Sequence, residues 1–222
     1  MVVVTNSNVK HKLSDGEYPV RVKQCKEAVS MLQMKYPAVK ALRDCTGLDQ
    51  LNAVKGQMSE VIYRRAKHCI TEDARTLRAV EALAAGDFKL LGKLMTESHM
   101  SLKNDYEVSC VELDALVDSA LEVEGVYGSR MTGGGFGGCT VTLVDRSAAA
   151  RLIDHQKEKY FLQHKEVCDC YIADPSAGAG VIDLTNALAE YKKKVAAKRA
   201  WVLPVVAVTV VLIAAIVIVR KK

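Results

Sequence analysis

The 222 residues, half of them hydrophobic, suffice for one good-sized domain with a substantial buried core. The net charge is +5, but outside residues 190–199 and 220–222 there remain 23 basic and 25 acidic residues, so no nucleic-acid surface is expected. Seven scattered cysteines, Cys25, Cys45, Cys69, Cys110, Cys139, Cys168 and Cys170, are expected to be reduced cytosolic thiols used for packing.

The chain opens on Val2-Val3-Val4, an apolar β-branched run that predicts a strand over 2–6, as if a buried strand were entered midway. A polar turn at 12–17 follows, then helical patterns over about 19–34, 55–85, 87–103 and 109–123. Pro19 is placed at the first helical position, where its missing N–H costs little. In the 55–85 pattern Met58, Ile62, Ala66, Cys69 and Leu77 share the apolar face, which leaves Arg64, Arg65, Lys67 and Arg75 on the solvated one. His68 and His99, on helical patterns, are expected to be partly buried and satisfied. Asp105 and Glu107, two residues apart near a helix end, do not face each other and are read as capping residues.

Strands are predicted over 126–132 and 139–144, with Met131 inward before the intervening loop and Val141 and Leu143 inward after it. A helix over 146–162, strands near 167–173 and 180–184, and a Pro- and Gly-bearing loop at 174–180 complete the pattern. Strands interleaved with packed helices indicate a two-layer α+β domain. Cys168 and Cys170 point to one strand face, and their single-residue spacing matches no zinc motif, so packing is favoured over metal.

The loop between the paired strands, Gly133-Gly134-Gly135-Phe136-Gly137-Gly138, is rich in a residue that lacks Cβ and tolerates positive φ. It could let several backbone N–H groups approach an anionic or sugar ligand, or it could simply connect two strands. The spacing is neither a P-loop nor a dinucleotide fingerprint, since a strand follows rather than a helix.

The full run from Gly128 to Val144, GSRMTGGGFGGCTVTLV, resembles the third signature motif of the galactokinases, within the GHMP small-molecule kinases. Asn6 to His11, Glu17-Tyr18-Pro19-Val20-Arg21, Arg65 to His68, Glu97-Ser98-His99 and Asp105 to Cys110 resemble further galactokinase segments in the right order. The run from Met131 to Phe136 favours galactokinase over its N-acetylgalactosamine-kinase relatives, where Leu-Thr-Gly-Ala-Gly-Trp would be expected.

The resemblance implies a GHMP kinase C-terminal-type domain over 1–184. It implies ATP-dependent phosphorylation of galactose at the C1 hydroxyl, with ATP and Mg²⁺. The loop Thr132, Gly133, Gly134, Gly135, Phe136, Gly137 and Gly138 would be the motif loop, with Tyr18 and Gly134 at the sugar. No residues resemble the family's Gly-Glu-His sugar motif, its main phosphate loop or its catalytic Asp, so no catalytic residue and no metal ligand is assigned. The chain reads as a C-terminal half, inactive by itself. The alternative is a non-catalytic, membrane-tethered interaction module or a fragmentary gene product.

Residues 185–199 read as a charged helical linker and 220–222 as a basic tail. Between them, the 20 residues Ala200 to Val219 carry no charge; as a helix they would measure about 30 Å, the thickness of a bilayer core. A transmembrane helix is expected over 200–219, with Trp201 at the interface, rather than a buried core helix. Basic residues are more numerous before the segment than after it, which predicts a tail-anchored protein with its domain in the cytosol. The family is otherwise cytoplasmic, so this tail departs from it.

Overall fold

In the computed structural model, residues 1–9, 16–176, 178, 184–185 and 188–193 are described. The first strand, β1 (Val2–Asn6), lies where its β-branched run predicts. Three helices follow: α1 (Glu17–Lys35), the short α2 (Leu48–Asn52) and α3 (Glu60–Ala84). Pro19 is thus the third helical residue of α1, two later than expected. The helix starts earlier because Gly16, at φ 73°, turns the chain into it without a side-chain cap. Helix α2 was not predicted; five residues are too short to display an apolar period.

α3 begins where Ser59 Oγ accepts the Ile62 N–H, and α4 (Phe88–Ser101) where Asp87 Oδ1 accepts the Leu90 N–H. The helical pattern predicted to reach 103 changes character after Ser101. Residues Leu102–Tyr106 form a π-turn, closed where the Leu102 carbonyl receives the N–H groups of Glu107 and Val108. Helix α5 (Val111–Leu121), strands β2 (Val126–Thr132) and β3 (Cys139–Val144), helix α6 (Ala149–His164) and strand β4 (Asp169–Ala173) complete the series.

The four strands form one antiparallel sheet in the order β2-β3-β1-β4. The loop 133–138 joins adjacent strands, as expected. Side chains turned inward differ from expectation: Thr140, Thr142 and Val144 are buried, while Val141 and Leu143 are only partly so. Alternation of apolar residues misleads here because the inner face is partly polar and internally hydrogen-bonded. Ser129 Oγ lies 2.8 Å from Thr142 Oγ1; Thr5 Oγ1 donates to Gln156 Oε1 at 2.8 Å, and Gln156 Nε2 donates to the Leu116 carbonyl.

Helices α4 and α5 pack on β2, and α6 packs on α5. Val3, Ala120, Val144, Ala148, Ala149 and Leu152 form the core beneath the sheet. A further helical layer stands beyond α4: α3 packs on it and carries α1 and α2 around a separate core that includes Ala28, Leu32, Leu51, Ile62 and Ala66. Leu77 does not share that core, being 65% exposed. The tightest approach of helix to sheet is at two glycines. A Cβ added at Gly128 would stand 1.9 Å from the Gly92 carbonyl oxygen, and one at Gly92 would stand 2.2 Å from the Tyr127 backbone.

Met1–Pro175 form one compact unit, and the remaining residues a second. In the second, residues 184–185 and 188–193 are helical; the remainder of the expected linker 185–199 lies outside the described residues. The strand expected near 180–184 lies mainly outside the described residues, and the membrane segment 200–219 wholly so. Among the described residues no helix is long and apolar enough to cross a membrane.

Candidate functional site

The Gly-rich loop is held in place from below by the segment after the π-turn. The Phe136 N–H donates to the Val108 carbonyl at 2.7 Å, and Phe136 packs with Val108, Leu113, Met131 and Tyr106. At its far end the Gly138 carbonyl accepts both the N–H and Oγ–H of Ser7, each at 2.8 Å. Gly133, Gly135, Gly137 and Gly138 all have positive φ, and Gly135 also abuts Val108, whose carbonyl oxygen would lie 2.1 Å from an added Cβ. Each is therefore glycine for a reason internal to the fold. Gly134 is different. It has no positive φ, and an added Cβ would meet nothing within 4 Å.

Four cations clasp the π-turn. Arg65, 3% exposed, donates to the Asp105 carbonyl at 2.6 Å, to Glu107 Oε2 at 2.5 Å and to Gln24 Oε1 at 3.1 Å. Arg64 pairs with the other Glu107 oxygen and donates to the Asn104 carbonyl, and Lys67 Nζ pairs with Asp105 at 3.0 Å. Arg21, from α1, donates to the Tyr106 and Glu107 carbonyls at 2.8 Å each. The Arg65 hydrogen bond, together with Arg64, holds the Glu107 carboxyl below the usual carboxylate range against the opposing effect of burial. Glu107 adopts φ 54° at the close of the turn.

Two expectations are corrected here. Arg65 is not on a solvated face, and Arg75, paired with Glu72, is also largely covered. Glu107 closes the π-turn through its backbone N–H, but the carboxylates of Asp105 and Glu107 cap no helix; they are the anionic partners of α3. The basic run Arg64-Arg65-Ala66-Lys67 looks solvated because its partners lie about 40 residues downstream.

Both histidines are buried and satisfied, more deeply than expected. The Met131 N–H donates to His99 Nδ1 at 3.3 Å, so the ring turns its Nε2–H to Asp114 Oδ1, also at 3.3 Å. Burial pushes the Asp114 carboxyl up, but hydrogen bonds from His99, Lys103 and Ser109 outweigh it and hold the group at about 2. His68 stacks on Tyr106 at 4.6 Å and donates from Nδ1 to Ser101 Oγ at 3.0 Å, while Ser101 donates to Asp105 Oδ2 at 3.1 Å. Burial holds the His68 imidazole down at about 4.

That depression has a stability consequence. Between about 6.5 and 4 the unfolded chain binds a proton at His68 that the folded chain does not, so folding stability falls as the pH drops through this window. His68→Gln is expected to flatten this part of the profile, measured as urea midpoints across the range. An unchanged slope would show that another group governs it.

Tyr18, 80% exposed, lies on the first turn of α1 and lines a cavity of about 620 Å³ with Val22, Cys25, Leu42, Arg43 and Tyr106. The loop residues do not line that cavity. What joins the two regions is Arg21, one turn beyond Tyr18, whose guanidinium carbon lies 6.0 Å from the ring centres of both Tyr106 and Phe136. Among the described residues no group of three His, Cys, Asp or Glu side chains is placed to hold a metal ion.

Residues 79–160 match the family described as GHMP kinases C terminal, and the chain carries that domain. Its sequence relatives include galactokinases. It is 48% identical to galactokinase of Bos taurus over 181 residues and to that of Homo sapiens over 183, in each case 82% of this chain and 44% of the relative. Among solved structures it is similar to Lactococcus lactis galactokinase complexed with galactose, with TM-score 0.76, 31% identity, and coverage of 82% of this chain and 46% of that one. The chain spans a little under half the length of the relatives it matches.

Proposed function

We propose that this chain supplies the C-terminal part of a galactokinase, which transfers the γ-phosphoryl group of ATP to the C1 hydroxyl of galactose. The observation that carries this reading is the likeness to galactokinases in sequence and backbone, including one solved with galactose. Gly134 supports it locally, because nothing in the fold requires glycine there and close approach of a ligand would. Tyr18 offers a phenol that can donate to and accept from a sugar hydroxyl.

ATP and Mg²⁺ are the group's implied companions. The open backbone around Gly133 and Gly134 fits contact with a sugar or phosphate oxygen. No Mg²⁺ ligand is assigned to this chain, and the main phosphate loop and catalytic Asp would come from another segment.

The test is a chimaera in which residues 1–185 replace the matching part of bovine galactokinase. It is expected to phosphorylate galactose, with Tyr18→Phe raising KM several-fold and Gly134→Ser lowering turnover, while the isolated chain gives no phosphorylation above background. A folded chimaera that binds neither galactose nor ATP would overturn the reading and favour a non-catalytic module.

Segment 200–219 is read as a membrane anchor, with the domain on the cytosolic side, from its uncharged length and basic flanks. In cells the chain is then expected to resist carbonate extraction while its N-terminus stays open to protease from the cytosol. Full release by carbonate would refute the anchor.

A further inference from the structure

Cys25 on α1 and Cys69 on α3 are 44 residues apart in sequence, yet their Sγ atoms lie 3.8 Å from each other. Both are free thiols and both are partly exposed. Cys25 also lines the α1 cavity, whose wall includes the cations Lys26, Lys40 and Arg43, and its Sγ lies 3.9 Å from the Tyr106 hydroxyl. A packing pair needs neither an opening to solvent nor a cationic rim; a reactive thiol benefits from both.

We propose that Cys25 is a peroxide-reactive cysteine opening onto this cavity and that Cys69 is its resolving partner, the two closing to a disulfide between α1 and α3. The Cys25 thiolate attacks the O–O bond of hydrogen peroxide or an organic hydroperoxide. An S–O bond forms, the O–O bond breaks, and the departing hydroxide or alkoxide is protonated to water or alcohol by the proton Cys25 released. Cys25 is thereby oxidised to a sulfenic acid and the peroxide is reduced. Cys69 then attacks the Cys25 sulfur; an S–S bond forms, the S–O bond breaks, and the hydroxide leaves as water with the Cys69 proton. The two sulfurs must approach by about 1.8 Å to reach disulfide length, a movement within the range of side-chain rotation.

The electrostatics divide the roles in the same way. The hydrogen bond from Cys69 holds the Cys25 thiol down at about 6 against burial, aided by Tyr106, Arg65 and Arg21. The same contact and burial push Cys69 far up, so it stays a thiol until the sulfenic acid forms. Cys168 and Cys170 are also hydrogen-bonded to each other, but only one residue separates them, Cys168 is buried, and neither lines the α1 cavity.

The full chain, reduced and desalted, is treated with stoichiometric hydrogen peroxide, blocked with N-ethylmaleimide, digested with trypsin and analysed by mass spectrometry. The first product expected is peptide 24–26 joined to peptide 68–75, two hydrogens lighter than the sum of the two thiol peptides. Cys69→Ser is expected to give instead a dimedone adduct at Cys25, and Cys25→Ser neither product, with circular dichroism unchanged in both. In the untreated chain Cys25 should alkylate about tenfold faster than Cys45 or Cys139. Equal alkylation rates would overturn the proposal. So would a Cys168–Cys170 or chain-to-chain link that forms before the Cys25–Cys69 link.

Discussion

Gly128→Ala is expected to destabilise the domain by about 3 kcal/mol or more, lowering the thermal midpoint by about 10 °C. The added carbon would stand 1.9 Å from the Gly92 carbonyl oxygen, a separation that no rotamer change relieves because both groups are backbone. Helix α4 would have to lift from β2, and α4 carries the outer helical layer through α3. Gly133→Ala is the control. Its added Cβ meets nothing within 4 Å, so only the strain of φ 84° remains, about 1 kcal/mol. Thermal unfolding followed by circular dichroism separates the two, and equal midpoints would mean that the pinch between α4 and β2 relaxes without cost.

Arg65→Ala is expected to cost about 2–3 kcal/mol, since it orphans the Asp105 carbonyl and removes one of the two guanidinium partners of Glu107. Arg65→Lys should not restore the loss, because an ammonium cannot reach three separate acceptors with the planar fork of arginine. The effect should travel. Val108, at the end of the clasped turn, receives the Phe136 N–H, so amide exchange at Phe136 should quicken in the Ala variant. Denaturant titration together with exchange at that amide checks both parts. A destabilised variant with Phe136 still protected would leave the clamp structural but uncouple it from the loop.

The elements were legible where periodicity was long or β-branched: β1, α1, α3 to α6 and the two strands around the loop lie close to their expected places. Sequence pattern failed where polar residues were buried in pairs. Thr142 looked outward-facing because nothing local reveals Ser129 across the strand, and Arg65 looked solvated because Asp105 and Glu107 follow 40 and 42 residues later. The loop itself was visible as a glycine run. The distinction within it, four glycines fixed by φ or packing and one by neither, exists only in three dimensions. Arg21 sat inside the recognised segment Glu17 to Arg21, yet its role was hidden, because a single arginine in an amphipathic pattern gives no sign of the two carbonyls it grips.

The π-turn at Leu102–Tyr106 acts as a clock setting. Each helical residue advances the chain by about 100°, so the number of residues spent in the wide turn fixes the compass direction from which Val108 emerges and meets Phe136. A change of length by one residue between 102 and 106 would leave α4 intact and re-aim everything after it, detaching the floor of the glycine loop. Substitution is a matter of degree at those positions, whereas insertion or deletion is a matter of phase.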